Sequence, residues 1–154
     1  MATFPATLVT PERTLLEEDV AAVILRTDGG DAAFMPGHTP LIGALVAGAV
    51  RFQHEDGTEE RAAVHGGFVQ VAGDHVRVIA PVAERSEEID VGRARRALEA
   101  ANERVAELGG TRSGAGDSGE AAPVDRALVD AEAARLRAEV RLEVAGASSE
   151  TRAS

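Results

Sequence analysis

The chain has 154 residues, 44% of them apolar, enough for one domain with a packed core plus an appendage, and wholesale disorder is not expected. Its formal net charge is −10, with four Phe and no Tyr or Trp, which disfavours phosphate-backbone binding and leaves no aromatic platform for bases or sugars. With no cysteine, disulfides and thiolate metal sites are excluded. The opening MATFPATLVT lacks a basic segment followed by an apolar run, and the longest apolar stretch, residues 41–50, is broken by Gly43 and Gly48. A soluble intracellular protein is expected.

Up to about residue 85, Gly, Pro and Asp punctuate short β-branched runs. Residues 7–9 end at Thr10-Pro11, 20–26 at Asp28-Gly29-Gly30, and 49–54 at Glu55-Asp56-Gly57, an Asp-Gly hairpin signal. Further strands are predicted at 59–65, 67–72 and 75–80, the last two separated by Gly73-Asp74. Many short strands with regular turn signals predict a sandwich or barrel. This part is also the acidic one: residues 1–89 hold 14 acids and 6 bases, residues 90–154 hold 12 and 10.

After Pro81 the period changes. Ala94, Ala97, Leu98, Ala101, Val105 and Leu108 recur at three and four, predicting a helix with Asp90 as N-cap and Gly109-Gly110 as stop. Residues 109–122 are Gly/Ser-rich and read as a loop. Pro123 suits the first turn of a second helix running to about Ala145, before Gly146 and a polar end. On a helical wheel this second helix has two apolar stripes. Leu128, Ala131, Ala138 and Leu142 lie on one; Val129, Ala133, Leu136, Val140 and Val144 lie opposite. A helix docked on one surface needs one stripe. Two stripes call for two surfaces, met either at different times or together, with the helix held between its partner helix and the sheet.

Arg137 and Arg141 are one turn apart, and neither has a carboxylate three or four residues away. Their compensation must come from another element or from a ligand such as a polyphosphate. His38, His54, His65 and His75 show no ligand-like spacing, and no G-x-S-x-G elbow occurs, so no metal site and no catalytic residue is predicted.

Four strings then stand in order: Leu8-Val9-Thr10-Pro11-Glu12-Arg13, Phe34-Met35-Pro36-Gly37-His38-Thr39-Pro40-Leu41, Gly66-Gly67-Phe68-Val69-Gln70-Val71 and Ile89-Asp90-Val91-Gly92-Arg93-Ala94. Together they resemble the bacterial epsilon subunit of F-type ATP synthases over essentially the whole chain. The resemblance implies an α+β fold. An N-terminal antiparallel β-sandwich of about ten strands would span residues 1–87. A two-helix antiparallel hairpin would follow over 88–146, with a flexible loop at 109–123 and a frayed tail at 147–154.

It implies a non-catalytic central-stalk (rotor) component that couples proton or sodium translocation to ATP synthesis and can inhibit ATP hydrolysis through its C-terminal helices. Its partners would be the gamma subunit, the c-subunit ring and, through the helices, the alpha/beta catalytic head, at the cytoplasmic face of the bacterial plasma membrane. Asp28, Asp31, Gly37, His38, Leu41 and Ile42 would face the c-ring or gamma. Some family members hold a regulatory ATP, and Glu84, Ile89, Asp90, Arg93, Arg137 and Arg141 match the residues that do so. No cofactor is required. From the residues alone Asp90 can equally be a simple N-cap. The alternative to the rotor reading is a free-standing β-sandwich enzyme or ligand-binding domain with a helical dimerisation tail.

Overall fold

The computed structural model describes residues 2–110 and 125–152, with side chains at 2–109 and 125–146. Ten strands form two five-stranded sheets. The first runs β2 (Thr14–Val20), β1 (Phe4–Val9), β9 (His75–Ile79), β8 (Phe68–Ala72), β5 (Leu41–Ala44). The second runs β10 (Ala83–Arg85), β7 (Glu59–Val64), β6 (Gly48–Gln53), β3 (Ala22–Thr27), β4 (Gly30–Phe34). The β1–β9 pair is parallel and the other pairs are antiparallel.

Period-two alternation sends Phe4, Ala6 and Leu8 of β1 and Val69, Val71, Val76 and Val78 of β8 and β9 inward. They meet Val23, Leu25, Val50 and Phe52 from the second sheet in one core. Each of the larger side chains contributes about 1.5–3 kcal/mol by leaving water. The predicted hairpin at Glu55-Asp56-Gly57 joins β6 to β7, with Asp56 accepting hydrogen bonds from the Thr58 amide at 2.9 Å and hydroxyl at 2.6 Å. The strand expected at 20–26 is instead cut at Ala21. Val20 ends β2 in the first sheet and Ala22 opens β3 in the second, so the chain changes sheets there.

A later change of sheet, from β7 to β8, runs through His65-Gly66-Gly67. Gly66 and Gly67 have φ of 86° and 108°, conformations that side chains rarely adopt. A Cβ on Gly67 would also lie 2.2 Å from the Ile79 carbonyl oxygen. Gly67 is therefore a packing requirement of this corner, and Gly66 a conformational one.

A 3-10 turn at Ser86–Glu88 leads to α1 (Val91–Gly110), and Asp90 caps it by accepting from the Arg93 amide at 3.0 Å. Asp125 caps α2 (Arg126–Arg152) in the same way, accepting from the Ala127 amide at 3.0 Å. Both helices outrun their expected ends. α1 includes Gly109 and Gly110, and α2 passes Gly146 to Arg152. A glycine costs a helix only about 1 kcal/mol relative to alanine, too little to end it alone. The rest of the expected loop, 111–123 with Pro123, lies outside the described residues, as do 153–154.

α2 lies between α1 and the outer face of the second sheet. Its first stripe, Leu128, Ala131 and Ala138, is buried along with Ala94 and Ala101 of α1, where the helices run beside each other. Its second stripe is seated only at one end. Val140 and Val144 pack with Ala63, Ala47, Ala49 and Ile89. Val129 and Leu136 stay 48% and 41% exposed.

Candidate functional site

The seam between the sandwich and α2 gathers most of the residues matched to the nucleotide site. Glu84 of β10 accepts a hydrogen bond from Arg141 Nε at 2.8 Å, so the compensation that Arg141 lacks on its own helix comes from the sheet. Ile89 packs into the apolar seat of Val140 and Val144. Asp90 is spent on the α1 cap. Arg93 and Arg137 are exposed and form no ion pair among the described residues. Beside the apolar seat a small polar cleft is lined by Arg26, Arg51 and Arg61 of the sheet and Glu143 of α2.

His65, at the β7–β8 corner, joins this seam. Neither ring nitrogen has a hydrogen-bond partner, and both are shut from solvent. Burial pushes its pKa down to about 4; Arg141 and then Arg137 add to the shift, and Glu84 opposes it. The seam is fixed from below by a bidentate pair: Arg13 donates to both Glu88 carboxylate oxygens, at 2.6 and 2.7 Å. Glu88 also accepts from the Arg85 amide at 3.0 Å. This ties the β1–β2 turn to the 3-10 turn that launches α1. Arg13 stood in the first recognised string, but nothing local pointed to a partner 75 residues away.

On the outer face of the first sheet lies an apolar groove of about 460 Å³. Val9, Thr10 and Pro11 line one part and Gly67, Phe68 and Ile79 another. The first and third recognised strings thus converge here. Phe68 and Ile79, paired across β8 and β9, are 57% and 42% exposed. Apolar surface of this kind marks a contact surface rather than a reaction pocket.

The residues expected to face the ring or gamma do not gather at one point. Asp28 and Asp31 lie at the β3–β4 turn, where Asp31 is bound by Arg26 Nε at 3.0 Å. Gly37 and His38 lie past the other end of β4, roughly 16 Å away for a five-residue strand. His38 packs edge-on against Phe34 with ring centroids 5.0 Å apart. Ile42 on β5 points out and is 76% exposed. Leu41, its neighbour, turns the other way and packs against the core, because adjacent strand residues face opposite sides.

Among the described residues one histidine cluster has metal-like spacing. Glu18, His54 and Glu60 bring ligand atoms within 4.8 Å of one another. Glu60 is already bound by Arg85 Nη2 at 2.9 Å, and His54 Nε2 lies 3.3 Å from Glu18, so these side chains already have partners within the sandwich.

Comparison with known proteins agrees with this geometry. The family profile described as "ATP synthase, Delta/Epsilon chain, beta-sandwich domain" matches residues 3–86. The ATP synthase epsilon chain of Moorella thermoacetica is 40% identical over 147 residues, covering 96% of this chain and 99% of that one. The ATP synthase epsilon chain of Bacillus subtilis is 42% identical over 105 residues, 68% and 79% of the two chains. A chain in the solved Euglena gracilis mitochondrial ATP synthase, OSCP/F1/c-ring in rotational state 1, superposes with a TM-score of 0.73 at 26% identity, covering 94% and 82%. The chain belongs to the epsilon family of F-type ATP synthases, non-catalytic subunits of the central stalk.

Proposed function

We propose that the sandwich grips the gamma subunit and the c-subunit ring while the hairpin acts as a releasable brake. Released, α2 reaches the alpha/beta head and inhibits ATP hydrolysis; docked, it leaves proton- or sodium-driven synthesis unimpeded. The observation that carries this reading is the half-seated second stripe of α2. Val140 and Val144 hold it to the sheet while Val129 and Leu136 remain uncovered. A helix with one permanent position would bury or lose that stripe. The latch itself is small: the apolar seat around Val140 and Val144 and the Glu84–Arg141 pair. The apolar groove between the first and third strings supports a stiff contact with a stalk partner. This working place is the cytoplasmic face of the bacterial plasma membrane, as a peripheral part of the complex. Among the described residues no helix is long and apolar enough to cross a membrane.

ATP is the proposed signal. Arg93 and Arg137, unpaired among the described residues, offer a polyphosphate charge that the chain leaves uncompensated, and Arg141 would add its own by exchanging Glu84 for the ligand. Ile89, Asp90 and Glu84 stand beside them. Calorimetric titration of MgATP and of free ATP into the full chain, beside Arg137→Ala, tests this. Binding lost in the variant supports the assignment. No heat at millimolar ATP would remove ATP from the scheme while leaving the brake to be tested separately.

A further inference from the structure

His65 lies at the β7–β8 corner, within electrostatic reach of Arg141 and Arg137 of α2, with both ring nitrogens buried and without hydrogen bonds. Buried side-chain polar groups are almost always paired, so an imidazole left this way has a structural consequence. The charged groups around it come from two elements: Glu84 from β10, and Arg141 and Arg137 from α2. Glu84 is already committed to Arg141 at 2.8 Å.

We propose that His65 is a proton sensor built into the latch: protonation of its ring, shut between the sandwich and the two arginines of α2, releases the hairpin. A protonated ring needs two acceptors and gains a positive charge. The docked seam supplies neither acceptor, and it sets the new charge beside two arginines against one shared carboxylate. Release hydrates the ring and moves both arginines away. The inference deepens the brake reading above and rests on the hairpin being releasable.

The sign follows from linkage. The docked ring titrates at about 4, below the ordinary value of 6.5, so the released state binds the proton more tightly. Docking is at full strength above about 6.5 and weakens as the pH falls toward about 4. Between roughly pH 7.5 and 5.5 a shift of this size would weaken docking about tenfold, or about fivefold once the ring's partial exposure to screening is allowed for.

Hydrogen–deuterium exchange of the full chain at those two pH values, corrected for intrinsic exchange rates, reads the effect on α2 directly. Wild type should lose about fivefold in α2 protection on acidification, with the sandwich amides unchanged. His65→Gln and His65→Asn, which cannot titrate, should lose less than about twofold. Sandwich protection reports whether each variant is folded, and either variant suffices. An equal loss in wild type and a folded variant, or no loss in wild type, overturns the sensor and leaves the brake standing. Exchange of α2 in step with the sandwich at both pH values overturns the releasable hairpin itself, and the sensor with it.

Discussion

Gly67→Ala tests the corner that carries His65 and Phe68 to opposite faces of the sandwich. The added methyl would lie 2.2 Å from the Ile79 carbonyl oxygen and 2.8 Å from Ala80 Cα. Both are backbone atoms, so relief requires moving the end of β9 rather than turning a side chain. Overpacking of this kind costs about 1–3 kcal/mol, and holding a side chain at this backbone conformation costs about 1–3 kcal/mol more. The expected loss is about 3–5 kcal/mol, a large part of the roughly 5–15 kcal/mol that stabilises a domain. Gly66→Ala is the control. Its φ of 86° is also positive, but the nearest atom to a new Cβ is the Leu45 carbonyl oxygen at 4.0 Å. Only the conformational cost remains there, about 1–2 kcal/mol. Urea unfolding followed by circular dichroism separates the two, and Tm should fall by about 15 °C or more for Gly67→Ala and about 5–10 °C for Gly66→Ala. Equal losses, or a larger loss at Gly66, would refute the close approach of this corner to β9.

Three further outcomes follow from the seam. A double-mutant cycle with Glu84→Gln and Arg141→Ala should give a coupling of about 1 kcal/mol in α2 protection, because both side chains are partly shielded, at 30% and 26% exposed. Val144→Ala should loosen α2 by about 1–2 kcal/mol, whereas Val129→Ala on the uncovered part of the same stripe should change it by less than about 0.5 kcal/mol. The Arg13 guanidinium holds the Glu88 carboxyl below its ordinary 4.5, so the stability this pair contributes is present above that value and is lost as the pH falls through the lower folded one. Urea midpoints measured on either side of that window should converge between wild type and Arg13→Ala on the acid side.

What the sequence shows of this molecule depends on how local each signal is. The Asp56-Gly57 hairpin, the Asp90 cap and the α1 stripe arise from residues within a turn of their neighbours; the first two appear as expected, and the stripe does except that Ala97 is exposed. β2 was hidden because Glu17, Glu18 and Asp19 form an exposed charged run that reads as a loop, although Leu15, Leu16 and Val20 are buried. β5 and β10, at four and three residues, are too short to show a period. The need for an outside partner at Arg141 was legible; that the partner is Glu84 was not, since 57 residues separate them. His65 gave no signal at all. Its charged neighbours, Glu84, Arg137 and Arg141, all lie far along the chain, so nothing local marks it. Conversely, the two apolar stripes of α2 were plain in the wheel, and the structure assigns one to α1 and half of the other to the sheet.

The most direct test of the brake is to build the ATP synthase complex with this chain truncated after Glu88, which keeps the sandwich and the Arg13–Glu88 pair and removes both helices. Assembly should survive, and ATP hydrolysis by the purified complex should rise above that of the complex with the full chain. Loss of the truncated chain from the complex would contradict the sandwich as the gripping part. Unchanged hydrolysis in an intact complex would contradict the hairpin as a brake.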